Sequence, residues 1–252
     1  MKIAVITGAS SGMGREAAFL LAERFPGFDE LCVIARRGER LKELAGQCKV
    51  RLRIFALDLA KEEDLQVLAA ALKAASPDVK FLVNAAGYGK IGPVGSLACG
   101  EQTGMVRLNC EALCAVTSMV LPYMVHNSRI ILFASAAAFL PQPDFAVYAA
   151  TKAFVLSYSR ALNEELRDRD IAVTAVCPGP VKTEFFDIAE TTGQIPLYKR
   201  LVMANPRNVV RTAIMDSVMK RELSVYGFTM KAFRLLSKLV PHRLLLYAMR
   251  KF

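Results

Sequence analysis

The chain has 252 residues, 54% of them hydrophobic and 22% charged, which suits one large domain with a substantial core. No run of about 18 consecutive apolar residues argues for a membrane span, and the first strand-like run begins at Lys2 without a signal-peptide layout, so a cytoplasmic protein is expected. The net charge of +10 resides entirely in residues 199–252, which hold 12 Lys+Arg and 2 Asp+Glu, but no RNA-binding aromatic motif or basic recognition helix accompanies it, so no nucleic-acid partner is expected.

Apolar strand-like runs alternate with helix-like runs along the whole chain. Lys2–Thr7 reads as a buried strand and Arg15–Arg24 as a helix. Strands follow at Glu30–Ala35 and Arg51–Ala56, a helix at Lys61–Ala75 and a strand at Phe81–Asn84. Thr103–Met124 reads as a helix, Arg129–Ala134 as a strand, Ala146–Arg169 as a helix and Ala172–Cys177 as a strand. This alternation predicts a doubly wound α/β fold: a parallel sheet between two helical layers, with right-handed crossovers and ligands at the carboxyl ends of the strands. No linker or repeat divides it, so residues 1–252 are expected to form a single domain.

The first turn is the most informative stretch. Between strand and helix lie Gly8, Ser10, Ser11, Gly12, Met13 and Gly14. Glycine is unfavourable unless the backbone needs positive φ or close approach, and a helix N-terminus offers free N–H groups to an anion, above all a phosphate. After the second strand come Arg36 and Arg37, where an acidic residue would hold a ribose hydroxyl; guanidinium forks suit the 2′-phosphate of NADP instead. Asp58 and Leu59 follow the third strand, where a carboxylate can accept from an adenine amino group or cap the next helix. Asn84, Ala85, Ala86 and Gly87 end the fourth strand; small residues there let a cofactor approach or brace the neighbouring strand.

Thr7-Gly8-xxx-Gly12-x-Gly14, Asn84-Ala85-Ala86-Gly87, Ser135, Tyr148-xxx-Lys152 and Pro178-Gly179 occur in that order, and residues 1 to about 185 thereby resemble the short-chain dehydrogenase/reductase family. The resemblance implies a Rossmann-type sheet of about seven strands, a nicotinamide cofactor, hydride exchange with a carbonyl or alcohol carbon, and a homo-oligomer (dimer or tetramer). It implies a catalytic tetrad of Asn109, Ser135, Tyr148 and Lys152, with Asn109 helping to hold a water that relays protons to Lys152. It also adds Tyr148, Lys152, Pro178, Gly179, Val181 and Thr183 to the cofactor contacts. Ala134 stands where many members have a second Ser.

The chemistry suits those residues. A ketone reduction needs a weak acid that can also ionise, and a free tyrosine, at about 10, is too weak without help. Tyr148 and Lys152 are four apart on one helix face, so the ammonium favours the phenolate and Tyr148 is the expected general acid/base. The Ser135 hydroxyl can bond the substrate oxygen as charge develops. The expected activity is therefore NADP(H)-dependent, with NADP(H) favoured over NAD(H); the alternative is an NADP(H)-binding regulator with little turnover. His126 and His242 have no visible partner and are assigned no catalytic role. The six cysteines include no CxxC pair, so thiols packed as small hydrophobes are expected, and no metal site.

Residues 183–205 form the expected substrate lid. Its Phe185, Phe186, Ile188, Ile195, Leu197 and Tyr198 suggest a lipophilic carbonyl compound: a steroid, fatty ketone or acyl group. Beyond it, residues 228–252 form a basic helical tail. Over residues 228–240, Lys231, Arg234 and Lys238 fall together while Phe233, Leu236 and Val240 fall opposite. Such a helix fits an anionic membrane surface, the subunit's own pocket or a dimer partner.

Overall fold

The computed structural model describes residues 1–189 and 203–249. Ile195, Leu197 and Tyr198 of the expected lid lie outside the described residues, as do the last three residues of the tail.

Seven parallel strands form one sheet in the order β3-β2-β1-β4-β5-β6-β7. They are β1 (Lys2–Thr7), β2 (Glu30–Ile34), β3 (Leu52–Phe55), β4 (Asp78–Asn84), β5 (Met124–Phe133), β6 (Ala172–Val176) and the two-residue β7 (Leu223–Ser224). Six of these are the expected strands. β7 is too short to carry a period of its own and is defined by pairing Leu223 with Ala175 and Ser224 with Val176. β4 and β5 start earlier than expected, because their first residues extend the ladders with β1 and β4.

Alternation along each strand feeds two cores. In β1, Ile3 and Val5 face one side, with Leu68, Val116 and Val155. Ala4 and Ile6 face the other, with Leu21, Leu44 and Val210. The helices α1 (Gly12–Arg24) and α2 (Gly38–Gln47) cover the second side. The first is covered by α3 (Glu62–Ala75), α5 (Ala112–Val120) and α6 (Ala146–Glu165), while α4 (Cys99–Val106) buries Met105 in a smaller cluster with Ala137, Tyr148 and Ala149. After β6 come α7 (Phe185–Ala189), α8 (Pro206–Val218), α9 (Phe228–Leu239) and α10 (His242–Met249).

The expected helix Thr103–Met124 is a longer composite. It starts at Cys99, passes through a π-helical turn at Arg107–Glu111, and yields to β5 at Met124. The run Cys99–Tyr123 is long and apolar enough to cross a membrane by length and composition, a property that a count of consecutive apolar residues misses. Here its Met105, Leu113, Val116 and Val120 are buried in the cores. The six cysteines are free thiols.

The contact that fixes α1 against β1 is backbone on backbone. Gly8 has φ +68°, and a Cβ placed on Gly14 would lie 2.4 Å from the Gly8 carbonyl oxygen. The helix N-terminus can therefore sit against the end of β1 only with glycine at 14. Gly46, in the last turn of α2, has open space around it. Gly46→Ala should raise stability by about 0.5–1 kcal/mol, whereas Gly14→Ala should lower it by about 1–3 kcal/mol. Urea unfolding of both variants checks this; equal effects would contradict the close approach.

Candidate active site

Two clefts meet at the carboxyl edge of the sheet, beside the point where β1 is flanked by β2 and β4. The first, of about 250 Å³, is lined by Gly8, Ser10, Ser11, Gly12, Met13 and Gly14, by Arg36 and Arg37, by Asp58 and Leu59, and by Ala85, Ala86 and Gly87. Asn84 is not on its wall. It is buried one residue deeper, accepting from the Thr7 hydroxyl at 3.3 Å and donating to the Thr117 hydroxyl at 3.0 Å, so it braces β1 and α5 against β4. Asp58 accepts from the Ala60 amide at 3.1 Å, and Lys61, not Asp58, stands at the start of α3.

The cleft suits a diphosphate. Ser11 flanks α1 without a side-chain cap bond, and the first turn carries no acidic residue, so its amides face the cleft uncompensated. Arg37 donates to the Ser11 hydroxyl at 2.8 Å and the Ser10 hydroxyl at 3.1 Å, and pairs with Glu184 at 2.8 Å. Arg40 pairs with the same carboxylate. These two guanidiniums, Arg40 first, hold the Glu184 carboxyl below the usual range. Arg36 is exposed at the cleft and makes no ion pair among the described residues.

The second cleft, of about 410 Å³, is largely apolar and carries Ser135, Tyr148 and Lys152 on its wall. Pro178, Gly179, Val181 and Thr183 line it too, and Thr183 reaches both clefts. Ser135 lies two residues past the end of β5 and caps the short 3₁₀ turn Ala136–Phe139, its hydroxyl accepting from the Ala137 amide at 3.1 Å. Lys152 donates to the Phe133 carbonyl at 2.7 Å, and its Nζ lies 5.7 Å from the Tyr148 ring centroid. Asn109 sits in the π-helical turn. Its side chain accepts from the Tyr88 amide at 3.0 Å and donates to the Tyr88 carbonyl at 2.9 Å and the Thr151 hydroxyl at 3.0 Å. It thereby ties the loop following β4 to α6.

Burial dominates the titration of the pair. Desolvation pushes Tyr148 up to about 12, against the lowering effect of its hydrogen bond with Ser135. Desolvation also brings Lys152 down to about 8. The direction is opposite to the expected lowering: removing water from the phenolate outweighs the hydrogen bond that favours it.

Several wall residues were not singled out from the sequence. Phe145 stacks on Tyr148 with centroids 4.3 Å apart, one helical turn earlier, a spacing that could have revealed it. Glu184 follows Thr183 directly, but its pairing with Arg37 across 147 positions left no local signal. Met230 and Phe233 of α9 also line the cavity. Of the apolar side expected to hold Phe233, Leu236 and Val240, Phe233 faces the cavity whereas Leu236 is exposed. His126 lies 3.3 Å from Asp170 and His242 3.3 Å from the Ser237 carbonyl, neither on the cavity wall.

A doubly wound sheet with a glycine turn and this cluster at its edge defines a dinucleotide-binding architecture. A sequence profile described as short chain dehydrogenase matches residues 2–192. The chain belongs to that family. A very-long-chain 3-oxoacyl-CoA reductase of Neurospora crassa is 32% identical over 220 residues, covering 84% of this chain and 63% of that protein. Sulfoacetaldehyde reductase 2 of Chromohalobacter salexigens is 36% identical over 189 residues, covering 73% of this chain and 74% of that one. A short-chain dehydrogenase from Sphingobium yanoikuyae, solved in complex with NADPH, matches with a TM-score of 0.80 at 25% identity over 96% of both chains. The chain thus spans about 63% of the length of the first of these relatives.

The Lys152 shift has a measurable consequence. Its pKa falls from 10.5 in the unfolded chain to about 8 when folded. Below pH 8 both states hold the proton, and the fold carries the full cost of a buried ammonium. Between these values the unfolded chain binds more protons, so stability rises with pH. From about pH 7 to 9.5, the cofactor-free protein should gain roughly 1–2 kcal/mol over Lys152→Met in urea unfolding; parallel pH profiles would contradict the shift.

Proposed function

We propose that this protein is an NADP(H)-dependent reductase of lipophilic carbonyl compounds, with 3-oxoacyl thioesters as the leading substrate class. The observation that carries the reading is the convergence of Ser135, Tyr148 and Lys152 on a largely apolar cavity that adjoins the glycine-lined cleft. The names of the 3-oxoacyl-CoA reductases that it resembles favour an acyl substrate over a steroid. The walls add Phe145, Phe185, Phe186, Met230 and Phe233, against which an acyl chain could pack.

The cleft residues would hold the dinucleotide: the amides at the start of α1 its diphosphate, Arg36 and Arg37 its 2′-phosphate, Asp58 its adenine, and Lys152 its nicotinamide ribose. When bound, it supplies the hydride that reduces the carbonyl carbon. Tyr148 Oη then donates its proton to the carbonyl oxygen, giving the secondary alcohol, and the Ser135 hydroxyl orients that oxygen. Burial keeps Tyr148 protonated until then. After transfer, the Lys152 ammonium stabilises the phenolate, and Asn109 holds the α6 face in register through Thr151. Glu184 occupies Arg37 in this structure. A 2′-phosphate would compete with it, while Arg40 keeps the carboxylate nearby.

The test is NADPH oxidation with a panel of 3-oxoacyl thioesters, steroid ketones and simple ketones. Turnover of the best substrate should fall about 10²–10⁴-fold in Tyr148→Phe while NADPH binding persists. NADPH should be preferred to NADH by about tenfold or more, as charge-assisted bonds to a phosphate imply. Near-normal turnover in the variant would remove Tyr148 from the mechanism. NADPH binding with no turnover of any substrate by the wild type would favour the regulator reading.

A further inference from the structure

Helix α9 presents three faces. The inward face holds Met230, Phe233 and the buried Ser237; a Cβ on Gly179 would lie 2.5 Å from the Met230 sulfur, so this face is seated tightly on the body. That seating fixes the register of everything else on the helix. The opposite face consists of Phe228, Leu235 and Leu239, which are 86%, 58% and 73% exposed. Leu236 is exposed at its edge, and Leu244 in α10 is 59% exposed. These are large apolar side chains turned outward by a fixed register, not by fraying. A contiguous apolar strip of this kind marks a contact surface.

The charge beside the strip says what the contact is. Lys231 and Lys238 lie on the flank of α9, and Arg243 follows in α10; all three are exposed and without ion-pair partners among the described residues. From Leu223 to the end of the chain there is no Asp or Glu. A second copy docked here about a two-fold axis would bring these cations toward their own equivalents with no carboxylate from this segment to offset them. An anionic bilayer surface offers the complement: headgroup charge for the lysines and acyl boundary for the apolar strip.

We propose that α9 and α10 dock the protein on an anionic lipid surface, with Phe228, Leu235, Leu239 and Leu244 inserted at the interface and Lys231, Lys238 and Arg243 at headgroup level. The inward face of the same helix forms part of the cavity wall, so the docked surface adjoins the site. The docking does not depend on any catalytic activity.

The experiment is sedimentation of the full chain with vesicles of phosphatidylcholine alone and of phosphatidylcholine mixed with phosphatidylglycerol. Wild type should sediment with the mixed vesicles, not with the neutral ones, and should be released by salt. Lys231→Gln with Lys238→Gln should weaken binding about 25-fold, taking about fivefold for each cation near the surface. Leu235→Gln with Leu239→Gln should abolish it while circular dichroism and thermal melting stay those of wild type. Wild type remaining in the supernatant, or binding neutral vesicles equally well, would overturn the proposal. So would retained binding in the leucine variant. A dimer that the leucine variant dissociates, seen without vesicle binding, would assign the strip to a second copy instead.

Discussion

The site is organised around a cation that the fold keeps out of water. Lys152 is 6% exposed, and the hydrogen bond that holds its ammonium is to the Phe133 carbonyl, at the end of β5. A buried ammonium is costly unless its protons find acceptors. The carbonyl at the strand end answers part of that cost and fixes where α6 crosses the sheet edge. One turn earlier on α6, Tyr148 is brought to the same depth, and burial moves its phenol in the opposite direction from the lysine. The two shifts have one cause, desolvation by burial, which favours the neutral form of each group.

Other elements hold this pair in place from a distance. Asn109, in a helix widened by a π-turn, spans from Tyr88 to Thr151 and so links α6 to the loop after β4. Such insertions recur at functional positions because they redirect one side chain without ending the helix. Phe145 and Phe185 lie against the Tyr148 ring from two different elements. Glu184, beside Phe185, ties the start of α7 to Arg37 and Arg40 across the first cleft. The two clefts are therefore joined through residues 183–185, where Thr183 lines both.

What the sequence made legible was whatever repeats or stays local. The strands were visible because both faces of the sheet are covered, so each reads as an apolar run bounded by turn residues. The glycine turn and the Tyr148–Lys152 pair were visible because their spacings are short and local. β7 was not, since two residues have no period and only their pairing with β6 defines a strand. For Asn84 the sequence leaves open a cofactor contact or a brace for the neighbouring strand, and its bonds to Thr7 and Thr117 are neighbours that only the three-dimensional structure supplies. Burial raises Tyr148, a direction the sequence does not reveal because it shows a charge four residues away but not the water removed around the phenol. On α9 the basic cluster was evident, but which apolar residues face the body could be decided only by seating Met230 and Phe233 in the cavity.

In the proposed mechanism Tyr148 is an acid/base whose ionisation the bound cofactor controls. That control is tested most directly by titrating the phenolate absorbance of wild type minus Tyr148→Phe, with and without NADP⁺. Without cofactor, the difference signal should stay absent until the pH approaches about 12, the value set by burial. With NADP⁺ bound, the positive nicotinamide and Lys152 should bring it down by about two pH units or more. A difference titration that does not move when NADP⁺ saturates the protein would contradict the account.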